Sequence, residues 1–228
     1  GAGLRAAADR ALASAAKADT LPDTLAGRLI GMSRESDGPD LAEARAILIG
    51  LAVGFVPTNA LAGGKMLSFL ARNRRARQQA LEAARPHDAE ALRRILLEAG
   101  RLDPALAPGQ WRWCPSDAKV ARKDGSAFEV KGGSVVLVST MAALRDPRIY
   151  DQPGTFRPDR PEEPELLFGH LFHTCLGREL AMQQIAGALA SLLRRRGIER
   201  SLRRMRMRWI GPYPHSAILD YDDATRDP

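Results

Sequence analysis

From Leu41 to Arg72 the chain is apolar on nearly every side, with Ile47, Leu48, Leu51, Val53, Phe55, Val56, Leu61, Met66, Leu67 and Leu70 leaving few polar positions between them. At roughly 1.5 Å per residue a helix over this stretch would be nearly 50 Å long. A helix with no polar face runs through the middle of a larger body. Its ends are too polar for a bilayer, and no apolar run reaches the ~18 to 20 residues of a membrane span.

The flanking patterns are different. Residues 4–17 are rich in Ala and favour a helix with little large apolar surface. Leu21-Pro22-Asp23 interrupts that run, and Asp23 is in place to cap a second helix carrying Leu25, Leu29, Ile30 and Met32. Beyond the long apolar stretch, Arg72 to Arg77 form a basic connector, and a helix is expected over 88–102. Short strands follow at 111–113, 119–121, 128–131 and 135–139, with turns at Lys123-Asp124-Gly125 and Gly132-Gly133. Leu180, Ile185, Leu189 and Leu192 then mark an amphipathic helix over 176–195, and alternation at 205–210 and 217–221 predicts two closing strands. The polar tail beginning at Asp222-Asp223 carries no signal. The fold class is mainly α with a small β region. Neither a Gly-rich nucleotide loop nor an internal repeat is visible.

Composition narrows the field. The 228 residues carry 34 Lys and Arg against 27 Asp and Glu, a net charge of +7. The excess is concentrated between Arg194 and Arg208. Such a run is usually a solvated face; if functional, it would steer an acidic electron-transfer partner. Nucleic acid is not indicated, because no aromatic interleaving or DNA-reading motif accompanies the charge. Cys114 and Cys175 sit far apart in different contexts, so they give no disulfide framework, and a reducing cytoplasm is the expected compartment. No signal peptide precedes the first helix.

The chemistry gathers at Phe168-Gly169-His170-Leu171-Phe172-His173-Thr174-Cys175-Leu176-Gly177. Cys175 lies where an irregular segment opens into a helix. Unpaired N–H groups and the helix dipole favour a thiolate there, which makes it a candidate metal ligand or nucleophile. Gly177 lets the backbone pass close to something flat, His173 can donate to an anionic group, and Phe168 can supply an apolar wall. Zinc is a rival because His170, His173 and Cys175 crowd together, but a structural site needs a fourth ligand. The plain alternative is a buried free Cys at a helix start.

This stretch resembles the heme-binding signature of the cytochrome P450 family. Phe168 stands seven before the Cys, His173 two before it, Gly177 two after it, and Leu180-Ala181 follow. Leu171 departs from the pattern, since the family places Gly four before the Cys. Three more stretches match in order. Glu98-Ala99-Gly100-Arg101 resembles the family's Glu-x-x-Arg, with Arg160 as the second Arg that bonds to it. Met141 to Pro147 resembles the approach to the meander that holds Arg160. Gly54 fits the oxygen-activating part of the central helix, although Val56 replaces the acid there and Pro57 the first Thr. Thr58 and Asn59 follow, about 100° and 200° further round the helix.

The resemblance implies a C-terminal portion of a cytochrome P450-like fold, a single partial domain over residues 1–228. It implies heme b (iron protoporphyrin IX) with Cys175 as the iron ligand. Phe168, His173, Gly177 and Arg112 would contact the cofactor, Arg112 and His173 at the propionates. Reaction would occur beneath Gly54, Pro57 and Thr58. The implied activity is a monooxygenase acting on a small organic or lipid substrate, with a ferredoxin or flavoprotein reductase as donor. Pro57 also resembles relatives that use peroxides, so a peroxygenase or lipid hydroperoxide isomerase is the second reading. The third is a non-catalytic fragment that keeps the heme-side scaffold.

Overall fold

The computed structural model describes residues 1–122, 124–161, 164–211 and 213–219. Lys123 of the predicted turn, the last residues of the second closing strand and the polar tail lie outside them. The chain forms two compact units, Gly1–Asn59 and Ala60–Pro228.

The first unit holds α1 (Ala2–Ala16), α2 (Leu25–Met32) and the opening part of α3 (Leu41–Arg72). Its small core is Leu12, Ala15, Ala26, Leu29, Ile30 and Ala44, with Leu21 and Leu48 packed against it. The cap of α2 is Thr24, whose hydroxyl accepts the Gly27 N–H at 3.1 Å. Asp23, expected in that place, instead pairs with Arg28 at 2.8 Å. A Ser/Thr hydroxyl and an Asp carboxylate serve equally well as caps, so local sequence did not separate these neighbours.

In the second unit the remainder of α3 buries Leu61, Met66, Leu67 and Leu70. Then come α4 (Arg74–Ala84), α5 (Ala89–Leu102), β1 (Gln110–Trp113), β2 (Ala118–Ala121), β3 (Ala127–Val130), β4 (Val135–Val138), α6 (Thr140–Ala143), α7 (Arg178–Leu193), α8 (Ile198–Arg204), β5 (Arg206–Ile210) and β6 (Tyr213–Ile218). The predicted basic connector is therefore mostly a helix. Asn73 caps it by accepting the Ala76 N–H at 2.9 Å, and Ala76, Ala80, Leu81 and Ala84 bury one face beneath the arginines. Small apolar residues among charged ones give a weak periodic signal, which is why the composition alone read as a linker. Asp88 caps α5 as its position suggests, accepting from Ala91 at 2.9 Å. The core joins α3, α4, α5, α7 and α8 through residues such as Leu70, Leu96, Met182, Leu193 and Leu202.

The strands form three separate two-stranded antiparallel ladders, β1–β4, β2–β3 and β5–β6. In the first, Trp111 faces Leu137 and Arg112 faces Val136. The fold is mainly α with a small β region, as the patterning indicates.

One feature of α3 stands apart. Contrary to the expectation that no apolar run is long enough, by length and composition it is apolar enough to cross a membrane, as the core helix of a soluble protein can also be. Only 6% of its most apolar eighteen-residue window is buried.

Candidate functional site: the Cys175 loop

The loop before α7 is built by backbone constraints. A 3-10 turn at Glu165–Phe168 ends on Gly169, whose φ is +80°. A Cβ at Gly169 would lie 2.1 Å from the His173 carbonyl oxygen, so only glycine fits. A second 3-10 turn, Leu171–His173, follows. Its carbonyl at Leu171 accepts from both the N–H and the hydroxyl of Thr174, at 3.0 and 2.7 Å. The Cys175 N–H then donates back to Phe168 O at 2.6 Å, and Cys175 O accepts from Arg178 N–H at 3.3 Å. The cysteine is thus tied by its backbone on both sides while its side chain stays exposed. A buried, inert cysteine is excluded by that exposure.

Leu171 occupies the position where the family signature carries Gly. Its φ is +54°, the left-handed conformation that Gly adopts freely and a branched side chain does not. The Leu-for-Gly change therefore leaves the turn in a glycine-like shape and adds strain, about 1 to 2 kcal/mol for an L-residue. Replacing Leu171 by Gly is expected to stabilise the chain by about 0.5 to 1 kcal/mol, after allowing for the freer unfolded state. Thermal denaturation of the pair checks it: a lower Tm for Leu171→Gly would show that the turn is not strained.

Around the exposed thiol the side chains are apolar and uncovered. Phe172 is 88% exposed and Leu176 fully so, and Leu171 and Leu180 are exposed with them. Phe168 is half-buried beneath the Arg178 guanidinium, which lies 5.5 Å from its ring. The His173 imidazole sits 4.3 Å from the Phe172 ring, centroid to centroid. The N–H groups of Leu176 and Gly177 take no backbone acceptor among the described residues. A presented sulfur, a glycine where a side chain would crowd the turn, and bare apolar walls fit a flat apolar group held by a thiolate. They do not fit a zinc site: among the described residues no three of His, Cys, Asp or Glu come together to hold a metal ion.

Elsewhere in the same unit lies a buried ion cluster. Arg101 grips Glu98 with two bonds, Nε to Oε2 at 2.7 Å and Nη2 to Oε1 at 2.8 Å. Its remaining nitrogen, Nη1, donates to the carbonyls of Leu144 and Pro153, each at 2.8 Å. Arg160 reaches Glu98 Oε1 at 3.1 Å and spends its other donors on the carbonyls of Asp151, Gln152 and Thr155. The Arg157 N–H completes the carboxylate at 2.9 Å. Tyr150 lies under Arg101, 5.0 Å from ring centroid to guanidinium carbon. Two guanidiniums and one carboxylate thus fix segments far apart in sequence. Nearby, Lys65 and Arg72 of α3 both pair with Asp103, at 3.3 and 2.8 Å, tying that helix to the end of α5.

The other expected residues are distributed as follows. Phe168, His173, Cys175 and Gly177 share the loop. Arg112 lies on β1, where its guanidinium bonds the Trp111 carbonyl at 3.0 Å and the Gln110 side chain, and no residue of the loop. Gly54, Pro57 and Thr58 belong to the first unit. Pro57 stands inside an uninterrupted helix. The Thr58 hydroxyl donates to Gly54 O and, at 3.3 Å, to Phe55 O, so it is turned back on its own helix. Sequence reading passed over Gly169 and Arg178. Gly169 was findable, because a Gly one residue after the signature Phe marks a positive-φ turn; Arg178 was not, because its contact with Phe168 depends on how α7 leaves the loop.

Comparison with known proteins agrees with this geometry. Residues 30–205 match the model of the family described as Cytochrome P450. The chain belongs to the cytochrome P450 family. It is 41% identical over 81 residues to cytochrome P450 105C1 of a Streptomyces species, covering 36% of this chain and 21% of that protein. It is 33% identical over 126 residues to the mycinamicin IV hydroxylase/epoxidase of Micromonospora griseorubida, covering 52% and 32%. Among solved structures it resembles the LnmA cytochrome P450 hydroxylase of the leinamycin biosynthetic pathway of Streptomyces atroolivaceus S-140. That likeness has a TM-score of 0.65 at 28% identity, over 84% of this chain and 47% of that one. The chain therefore spans about half the length of that solved relative and a smaller share of the curated ones. Family membership implies a heme cofactor.

Proposed function

We propose that these residues are the heme-side part of a heme-thiolate monooxygenase that holds heme b through the sulfur of Cys175. The observation that carries this reading is an exposed thiol, anchored by backbone bonds on both sides, among uncovered apolar side chains. Bound heme supplies the chemistry of dioxygen cleavage, and a thiolate ligand donates the electron density that favours breaking the O–O bond. Phe168, Phe172 and Leu176 exclude water from the sulfur side. His173 and Arg112 supply positive or donating groups for the two propionates. The overall change inserts one oxygen atom of dioxygen into a C–H bond of a small organic or lipid substrate. The other becomes water, with two electrons drawn from a ferredoxin or flavoprotein reductase and two protons from solvent.

The Thr58 hydroxyl would hold a proton near the substrate only by turning away from the Gly54 and Phe55 carbonyls to which it is bonded. Val56 can hold none. Two unpaired cysteines suit a reducing cytoplasm. All of this concerns the complete fold, since on these 228 residues the most apolar window of α3 is uncovered.

Val56 and Pro57, where the family carries an acid and an alcohol, favour peroxide as oxidant in a second reading, because peroxide already contains a reduced O–O bond and needs less proton delivery. Turnover of the full-length protein separates the two. The monooxygenase reading expects product with reductase, electron donor and dioxygen and little with hydrogen peroxide alone; product with peroxide and none with the reductase system would establish the peroxygenase.

A further inference from the structure

The arginine run was read from sequence as a solvated face or as a steering patch for an electron donor. In the structure it closes one side of a cavity of about 680 Å³. Its floor is apolar and belongs to the core: Leu81, Leu193 and Ile198 are all buried. Seven arginines and a single carboxylate, Glu199, complete the lining. They arrive from three segments of the chain: Arg85 just beyond α4, Arg194 to Arg196 just beyond α7, and Arg200 to Arg204 within α8.

The cavity is remote from the Cys175 loop. That loop feeds the first turn of α7, and the arginines begin after its sixteen residues. At about 1.5 Å per residue the two ends are roughly 24 Å apart. A small molecule bound among the arginines would therefore not touch the thiolate.

Seven positive charges thus border one cavity with a single acid among them. Arg203 is neutralised by Glu199. Arg85, Arg194, Arg196, Arg200 and Arg204 have no hydrogen-bonded or ion-paired side-chain partner among the described residues. The Glu199 carboxyl is held below its usual range, first by its bond from Arg203 and further by the charges of Arg203, Arg77 and Arg85.

We infer that this cavity binds a small organic diphosphate, with its apolar body on Leu81, Leu193 and Ile198 and its phosphates among the guanidiniums of Arg85, Arg194 and Arg200. A planar guanidinium offers paired N–H donors that match two phosphate oxygens, and several such groups suit two linked phosphates better than one. The cavity's size is that of an ordinary small-molecule site, about 300 to 1,000 Å³.

Titration calorimetry of the full chain with inorganic pyrophosphate, at fixed ionic strength, tests the inference. Saturable binding of one pyrophosphate per chain is expected. The pair Arg194→Gln and Arg200→Gln should weaken it about tenfold or more, the scale of one lost charge-assisted phosphate contact. The pair Arg206→Gln and Arg208→Gln removes the same charge from β5, outside the cavity, and should change the affinity less than about twofold, the mark of a screened long-range effect. Absence of saturable binding would overturn the inference. So would equal weakening by the two pairs, or equal affinity for sulfate, either of which reports only a diffuse positive face. All four arginines are exposed, so the variants keep the core intact; circular dichroism verifies it.

Discussion

In Arg101→Ala the second unit is expected to lose about 3 to 5 kcal/mol of stability, the scale measured when one partner of a buried ion pair is removed. Arg101 is completely buried and Glu98 nearly so, and the substitution breaks four bonds at once. Glu98 would keep Arg160 and the Arg157 N–H but lose the partner that holds both its oxygens. The Leu144 and Pro153 carbonyls would be left without their donor. A whole domain is stable by only about 5 to 15 kcal/mol, so this is a large fraction of the total and the variant should unfold at a much lower urea concentration. Lysine in place of Arg101 should rescue little of this, because a single ammonium cannot hold a carboxylate with two bonds while reaching two carbonyls. Urea unfolding followed by circular dichroism measures the change. A midpoint close to wild type in Arg101→Ala would show that the cluster does not hold the fold.

Cys175→Ser is the opposite case: large in chemistry and small in stability. The bonds that shape the loop are made by the backbone of Cys175, which serine retains, and the side chain that changes faces outward. Exposed substitutions of this kind usually alter stability by less than about 0.5 kcal/mol. Serine offers iron a poor ligand where the thiolate was strong, so the variant should fold with wild-type cooperativity and lose both the thiolate spectrum and turnover. Cooperative folding together with retained thiolate ligation would assign the iron to another residue.

These two outcomes divide what the sequence could show from what it could not. Long-range burial is what turned an ordinary-looking Glu98 and Arg101 pair, three apart on a helix, into a clamp. On a surface the same spacing contributes a few tenths of a kcal/mol at about the most, and only the matching order of the distant stretches singled it out. The long helix was plain from its unbroken apolar run, and its boundaries agree with the structure. Helix α4 was hidden because its buried face is made of alanines, which contribute little to any periodic pattern. The Cys175 loop was legible as chemistry, since Cys, His, Phe and Gly at those spacings are few in kind. Its shape was not. That Leu171 would take a glycine-like conformation depends on the bonds from Thr174 and Cys175 that close the turn around it. The arginine cavity shows the same limit, for Arg85 stands more than a hundred residues before Arg194 and joins it only in the fold.

The most direct test of sulfur ligation is the absorption spectrum of the full-length protein, reduced and saturated with carbon monoxide. The account predicts the long-wavelength Soret band that distinguishes a heme bound by a thiolate, and its disappearance in Cys175→Ser. A band at the shorter wavelength of a heme with a neutral ligand, or a spectrum that Cys175→Ser leaves unchanged, would contradict it.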